Sequence, residues 1–186
     1  NPILTAKILA TIDVLSKGRL NVGCGVGWMR EEFEALAAPS FDERGAVGSE
    51  YIQIFKELWT EEDPVFEGTY ANFSNISFLP KPVQTPHPPI WVGGESNPAL
   101  RRAADLGDCW YPIGTNPKFP LDSAELLRKR IERLHHYAES NNRDPATIDL
   151  AYSANWFNMV SQSPGKRSRW FEGESGQIQE DIGQLK

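Results

Sequence analysis

The chain has 186 residues, with 25 Asp and Glu against 19 Lys and Arg and a formal net charge of −6. That length allows one substantial core, and a single domain over 1–186 is the default, while the acidic balance and the lack of any basic run argue against nucleic acid or an anionic membrane surface as partner. No segment approaches the roughly 20 apolar residues that span a bilayer, and the first residues lack the pattern of a secretory signal; a cytoplasmic protein is expected, with Cys24 and Cys109 as buried free thiols.

In residues 3–16, Ile8, Ile12 and Leu15 are spaced along one helical face, and Gly18 is placed to stop the helix. An apolar strand, Leu20–Cys24, then runs into the turn Gly23-Cys24-Gly25-Val26-Gly27-Trp28. A short helix is expected at Glu31–Ala37, its opening acids complementing the helix dipole. A longer one at Ala46–Trp59 buries Tyr51, Ile52, Phe55, Leu58 and Trp59. Residues 60–89 are rich in proline and long for a connection, and Val65–Phe73 alternates around Gly68 as a small hairpin would. This insertion follows a helix and precedes a strand, which in a (β/α) barrel places it at the end remote from the chemistry. A packing or subunit-contact role is expected for it, with His87 structural.

Strand Ile90–Val92 ends in Gly93-Gly94-Glu95-Ser96 and opens a helix at Pro98–Leu106. Strand Cys109–Ile113 and a proline-rich loop follow. Residues 122–140 form a helix with Leu127, Ile131, Leu134 and Ala138 inward and Arg128, Lys129, Arg130 and Arg133 on a solvated face; His135 and His136 are read as solvated too. Strand Ile148–Ser153 and a helix from Ser175 to Lys186, striped by Ile178, Ile182 and Leu185, complete the series. Strands alternating with helices predict the α/β class, a parallel sheet with right-handed crossovers. The first helix lacks a strand before it and the last lacks one after it, so the chain reads as the middle of something longer.

The two glycine turns carry the chemistry. Gly23, Gly25 and Gly27 are not a dinucleotide fingerprint, because Trp28 stands where the third glycine belongs. What remains is more general: glycines at the end of a strand let backbone N–H groups approach an anion, although an unoccupied tight turn has the same signature. At the second turn, Ser96 and Asn97 suit a helix cap, Pro98 suits the first helical position, and the helix N-terminus favours a phosphate. Glu95 opposes an anion there unless it turns away.

The wording of these segments resembles the luciferase-like monooxygenase family. The resemblance lies in Ala6-Lys7, Ala10-Thr11-Ile12-Asp13-Val14-Leu15-Ser16-Lys17-Gly18-Arg19-Leu20, Val22 to Trp28, Glu32-Phe33, Phe41-Asp42-Glu43-Arg44-Gly45, Glu50 and Leu58-Trp59. It continues through Pro80-Lys81-Pro82-Val83-Gln84, Pro88-Pro89-Ile90-Trp91-Val92-Gly93-Gly94 and Gly107-Asp108-Cys109-Trp110. The closest flavour is the branch that uses coenzyme F420, while relatives use FMN. The resemblance implies a partial (β/α)8 TIM-type barrel holding about strands four to seven, with the cofactor at the C-terminal mouth. It also implies an oxidoreductase or monooxygenase acting on a small organic substrate.

By motif position, Cys24 and Gly25 lie against the cofactor with Met29 just beyond. Gly93, Gly94, Ser96 and Asn97 hold the phosphate end, and Trp110 walls the ring pocket. Family members often carry Thr, Ser or an aliphatic residue at Cys24 and Gly at Cys109. Arg44 and Glu50 are explained by an ion pair tying two helices together. No acid, base or metal ligand is assigned. A homo-oligomer is expected, since open sheet edges invite association. Two other readings stay open: a flavin- or phosphate-binding protein without turnover, or inactive barrel fragment, and a phosphate-binding barrel enzyme such as an aldolase or isomerase.

Overall fold

Asn1 opens the first helix, α1 (Pro2–Ser16), by accepting the N–H groups of Ile3 and Leu4 on its side-chain oxygen, and Pro2 occupies the first turn, where a missing donor is harmless. The helix ends where Lys17 (φ 58°) and Gly18 (φ 75°) turn left-handed and return their N–H groups to Val14 and Asp13. In the computed structural model, which describes residues 1–154, 158–161 and 170–185, the chain forms two compact units. One is Asn1–Val92 with Leu106–Asp108; the other is Gly93–Asp105 with Cys109–Lys186.

In the first unit α1 turns a different face inward from the one its apolar spacing predicts. Ile8, Ile12 and Leu15 are 50%, 42% and 78% exposed, while Ala6, Ala10 and Asp13 are fully buried. The reason is close approach. Small side chains let α1 lie against α3 (Arg44–Thr60), whose Trp59 indole donates to the Ala6 carbonyl at 3.1 Å. Asp13 accepts the main-chain N–H groups of Val83 and Gln84 and the Gln84 side-chain amide. The inward face of α3 matches expectation except at Tyr51, which is half-buried: Ile52, Phe55, Leu58 and Trp59 are buried, joined by Val47 and Ile54.

β1 (Val22–Cys24) pairs in parallel with β4 (Ile90–Gly93), Val22 opposite Ile90 and Cys24 opposite Val92. Asp108 secures the start of β4 reciprocally, its carboxylate accepting the Ile90 N–H and its own N–H donating to the Ile90 carbonyl. His87 packs on the Trp59 ring, as a structural role requires. A short helix, α2 (Arg30–Ala35), buries none of its residues.

The insertion forms the expected hairpin, β2 (Phe66–Glu67) against β3 (Asn72–Phe73). The segment keeps to the expected remote end where Lys81 bonds the Leu58 carbonyl near the end of α3, and departs from it at the hairpin. α3 is 17 residues long, about 25 Å at the helical rise, and the chain leaving its C-terminus doubles back along it. The hairpin tip bonds to Glu50 and Glu43, beside the start of α3 that follows β1.

In the second unit α4 (Asn97–Leu106) buries Ala99, Leu100, Ala103 and Ala104. β5 (Cys109–Tyr111) pairs in parallel with β6 (Asp149–Leu150), and an isolated bridge joins Ile113 to Ser153. α5 (Ala124–Ser140) is capped by Ser123 and buries Leu134 and Ala138. Its basic face is not wholly solvated: Arg130 donates to Asn97 at 3.0 Å and lies over the Phe119 ring. His136 is exposed and His135 half-buried. A parallel pair that periodicity did not announce, β7 (Asn158–Met159) with β8 (Glu172–Gly173), precedes α6 (Ser175–Gly183). Neither Cys24 nor Cys109 is in a disulfide; Cys109 is buried and Cys24 half-buried.

Asp13→Asn places a donor amide where two main-chain N–H groups converge, and urea unfolding is expected to show a loss of about 3 kcal/mol. Ile8→Ser, on the exposed stripe, stays within about 0.5 kcal/mol of the parent; reversed magnitudes would refute the packing of α1. In the second unit the Tyr152 hydroxyl donates to the Leu121 carbonyl at 2.8 Å. Burial first, then the charges of Asp122 and Glu95, push its pKa from 10.0 up to about 12. A raised folded value means that stability is fully present below pH 10 and is lost as pH rises through about 12. Phenolate absorbance should show a late-ionising component that vanishes in Tyr152→Phe.

Candidate functional site

The first glycine turn lies wholly in the first unit. Gly23 and Gly25 face open space, since a side chain at either position would meet nothing within 4 Å. Cys24 is half-buried, Trp28 is 84% exposed, and Met29, at the N-cap of α2, is 41% exposed. Beside this turn is a cavity of about 680 Å³ bounded by Gly25, Val26, Gly27, Arg44, Tyr51 and Tyr70, among others. Met29 and Cys24 do not line it.

Arg44 and Glu50 do not pair with one another. Both belong to α3, six positions apart, and neighbours on a helix are three or four apart. Glu50 instead accepts the N–H groups of Thr69, Tyr70 and Ala71 at 2.8–2.9 Å. Arg44 lays its guanidinium 4.0 Å from the centre of the Phe41 ring and donates to the Phe41 carbonyl at 2.8 Å. Its Nε is buried with no hydrogen-bond partner among the described residues.

The second glycine turn lies in the second unit. Gly94 has φ +101°, and a Cβ there would sit 3.0 Å from the Ala99 Cβ, so only glycine fits without strain. Its carbonyl accepts the Trp110 indole N–H at 2.9 Å, which brings Trp110 and Gly94 together. Trp110 itself is 1% exposed, packed inside rather than presented at a surface. The Ser96 hydroxyl accepts the Ala99 N–H, the Ser96 carbonyl accepts the Leu100 N–H, and α4 starts on these bonds. Of its opening positions, Pro98 has no N–H, and those of Ala99 and Leu100 are taken by Ser96. Asn97 is held by Arg130.

Glu95 does turn away. It is 2% exposed, and its carboxylate accepts the Ile113 N–H at 2.8 Å and the Asn116 side-chain amide. The carboxylate that would repel a phosphate is thus held by two donors from the segment after β5. Sequence reasoning placed Tyr51 in the core rather than at a cavity, and gave no role to Tyr70 or to the unpartnered Nε of Arg44. The available signal was Gly68-Thr69-Tyr70, a turn at the tip of an alternating segment with a motif glutamate upstream.

The luciferase-like monooxygenase family profile matches residues 1–161. An FMNH(2)-dependent dimethylsulfone monooxygenase of Pseudomonas putida is 35% identical over 143 residues, 76% of this chain and 38% of the relative. The crystal structure of monooxygenase RslO1 from Streptomyces bottropensis is similar with a TM-score of 0.70 at 31% identity, covering 84% of this chain and 46% of that one. An F420-dependent secondary alcohol dehydrogenase in complex with an F420-acetone adduct is similar in fold, with a TM-score of 0.68 at 21% identity, over 82% of this chain and 44% of that one. The chain therefore spans less than half the length of these relatives, as a partial (β/α)8 barrel would. By a match through most of its length, the chain belongs to the luciferase-like monooxygenase family.

Proposed function

We propose that this chain forms part of an oxidoreductase whose redox cofactor is a flavin or deazaflavin held by its phosphate at the Gly93–Asn97 turn. The observation that carries this reading is the removal of Glu95 from the turn, which leaves a strand end, a glycine with positive φ and a helix N-terminus as the electrostatic surface. Gly93 and Gly94 admit the anion to the backbone, Ser96 and Asn97 start the helix whose positive dipole end favours it, and Trp110 fixes the Gly94 carbonyl. Cys24, Gly25 and Met29 are assigned to the cofactor by motif position, and the open space at Gly25 is compatible with that.

The cofactor, when bound, supplies hydride transfer or oxygen activation. The protein's part is to orient it and to exclude water. Coenzyme F420 is the cofactor the sequence wording favours; the 35% identical dimethylsulfone monooxygenase, named as FMNH(2)-dependent, supports FMN. A small organic substrate, a cytoplasmic setting and a homo-oligomer complete the reading, the last supported by the exposed stripe Leu4, Ile8, Ile12 and Leu15.

Titrating FMN and coenzyme F420 into the protein, each followed by its own fluorescence, tests the reading. One of them should bind. Gly94→Ala forces a side chain into a left-handed conformation at a cost of about 1–3 kcal/mol, so affinity should fall about tenfold or more. Gly176→Ala, where an added Cβ meets nothing within 4 Å, should leave it unchanged. Failure of both cofactors to bind would overturn the proposal.

A further inference from the structure

The cavity and the hairpin tip of the first unit meet at Tyr70, and the anchoring of that tip exceeds what a connection between a helix and a strand requires. Glu50 takes three consecutive N–H groups, from Thr69, Tyr70 and Ala71. Gly68 makes the approach possible, because a Cβ there would lie 2.5 Å from the Glu50 carboxylate. The Tyr70 hydroxyl then donates to the Glu43 carboxylate at 3.2 Å. Backbone and side chain of Tyr70 are both held by α3 and the residue before it. The consequence is a half-buried aromatic ring fixed as one wall of a cavity of about 680 Å³. The other walls are mostly apolar or aromatic: Ile3, Phe33, Val47 and Tyr51 among them. A space of this size with such a lining suits a small organic ligand.

We propose that this cavity binds a flat, largely apolar organic molecule, with Tyr70 as its specificity-determining wall and Glu50 as the positioning residue that holds that wall. Reading the molecule as the enzyme's substrate rests on the oxidoreductase assignment above; the cavity and its wall do not. Tyr70 offers ring contact to the ligand, whereas its hydroxyl is engaged by Glu43. Loss of the ring therefore matters more than loss of the hydroxyl. Glu50 acts through the main chain, so removing its charge frees the tip while leaving the Tyr70 ring in place chemically.

Naphthol titrated into the 186-residue chain and followed by amide chemical shifts is the test. Shifts should gather at Gly25, Val47 and Ala71. Tyr70→Ala should weaken binding about tenfold, the worth of an aromatic pair with its buried area, while Tyr70→Phe stays within about twofold. Glu50→Gln should weaken it severalfold although no cavity ring is lost. Should Tyr70→Ala not fold, Tyr70→Trp narrows the cavity and must disfavour naphthol relative to phenol; equal preference overturns the proposal. Shifts confined to the exposed stripe of α1, or unchanged affinity in Tyr70→Ala, also overturn it. The parallel cofactor titrations keep the readings apart. Naphthol binding that depends on Tyr70, without FMN or F420 binding, upholds the cavity and removes the cofactor assignment. Cofactor binding with no naphthol response does the reverse.

Discussion

A main-chain N–H buried without an acceptor costs about 1–3 kcal/mol, and irregular segments have no ladder to supply one. This chain supplies carboxylates. Asp13 gathers the N–H groups of Val83 and Gln84, Glu50 those of Thr69 to Ala71, Glu95 that of Ile113, Asp108 that of Ile90, and Asp181 that of Phe171. Three of the five, Asp13, Glu95 and Asp181, are almost wholly buried. Asp13 and Glu50 reach from helices into loops, and Asp108 reaches from a loop to the start of β4, so carboxylates fix where loops and regular elements meet. An ionised acceptor makes these bonds stronger than neutral ones, and it also makes each hard to replace.

That device explains which parts of the fold were legible in the sequence. Strands β1, β4, β5 and β6 and helices α1 to α6 follow from apolar runs, periodicity and glycine stops, all of which are local properties. The orientation of α1 does not follow, because Ala6 and Ala10 gain their value only from a neighbouring helix that approaches closely. Counting large apolar side chains picks Ile8, Ile12 and Leu15 and misses it. The hairpin within 60–89 escapes for a related reason: topology fixes where a connection starts and ends, and a 17-residue helix is long enough for the chain to retrace its length in between. Glu50 seemed to need a cation since a sequence displays side chains only, and its partners are backbone.

The candidate site divides along the same line. Gly94 and the start of α4 were readable, since glycine, cap and proline stand in order. Glu95 was visible as an obstacle, but the direction of its side chain depends on Ile113 and Asn116, about twenty positions on. Tyr70 was invisible as a cavity wall until the hairpin was folded back onto α3.

On the proposed function, an acidic chain that attracts an anionic cofactor needs its positive potential to be local. At the second glycine turn the formal charges are already committed: Glu95 to its two donors, Arg130 to Asn97 at the first residue of α4. The guanidinium places a fixed cation behind the helix N-terminus while its own donors stay partly engaged. Backbone dipoles then contribute the remainder, at short range and in fixed directions. A net charge of −6 spread over the surface is screened within about 8–10 Å by physiological salt, so it opposes approach more than it opposes the bound state. If the proposed site is right, geometry at Gly94, rather than the overall charge, governs whether a phosphate is held.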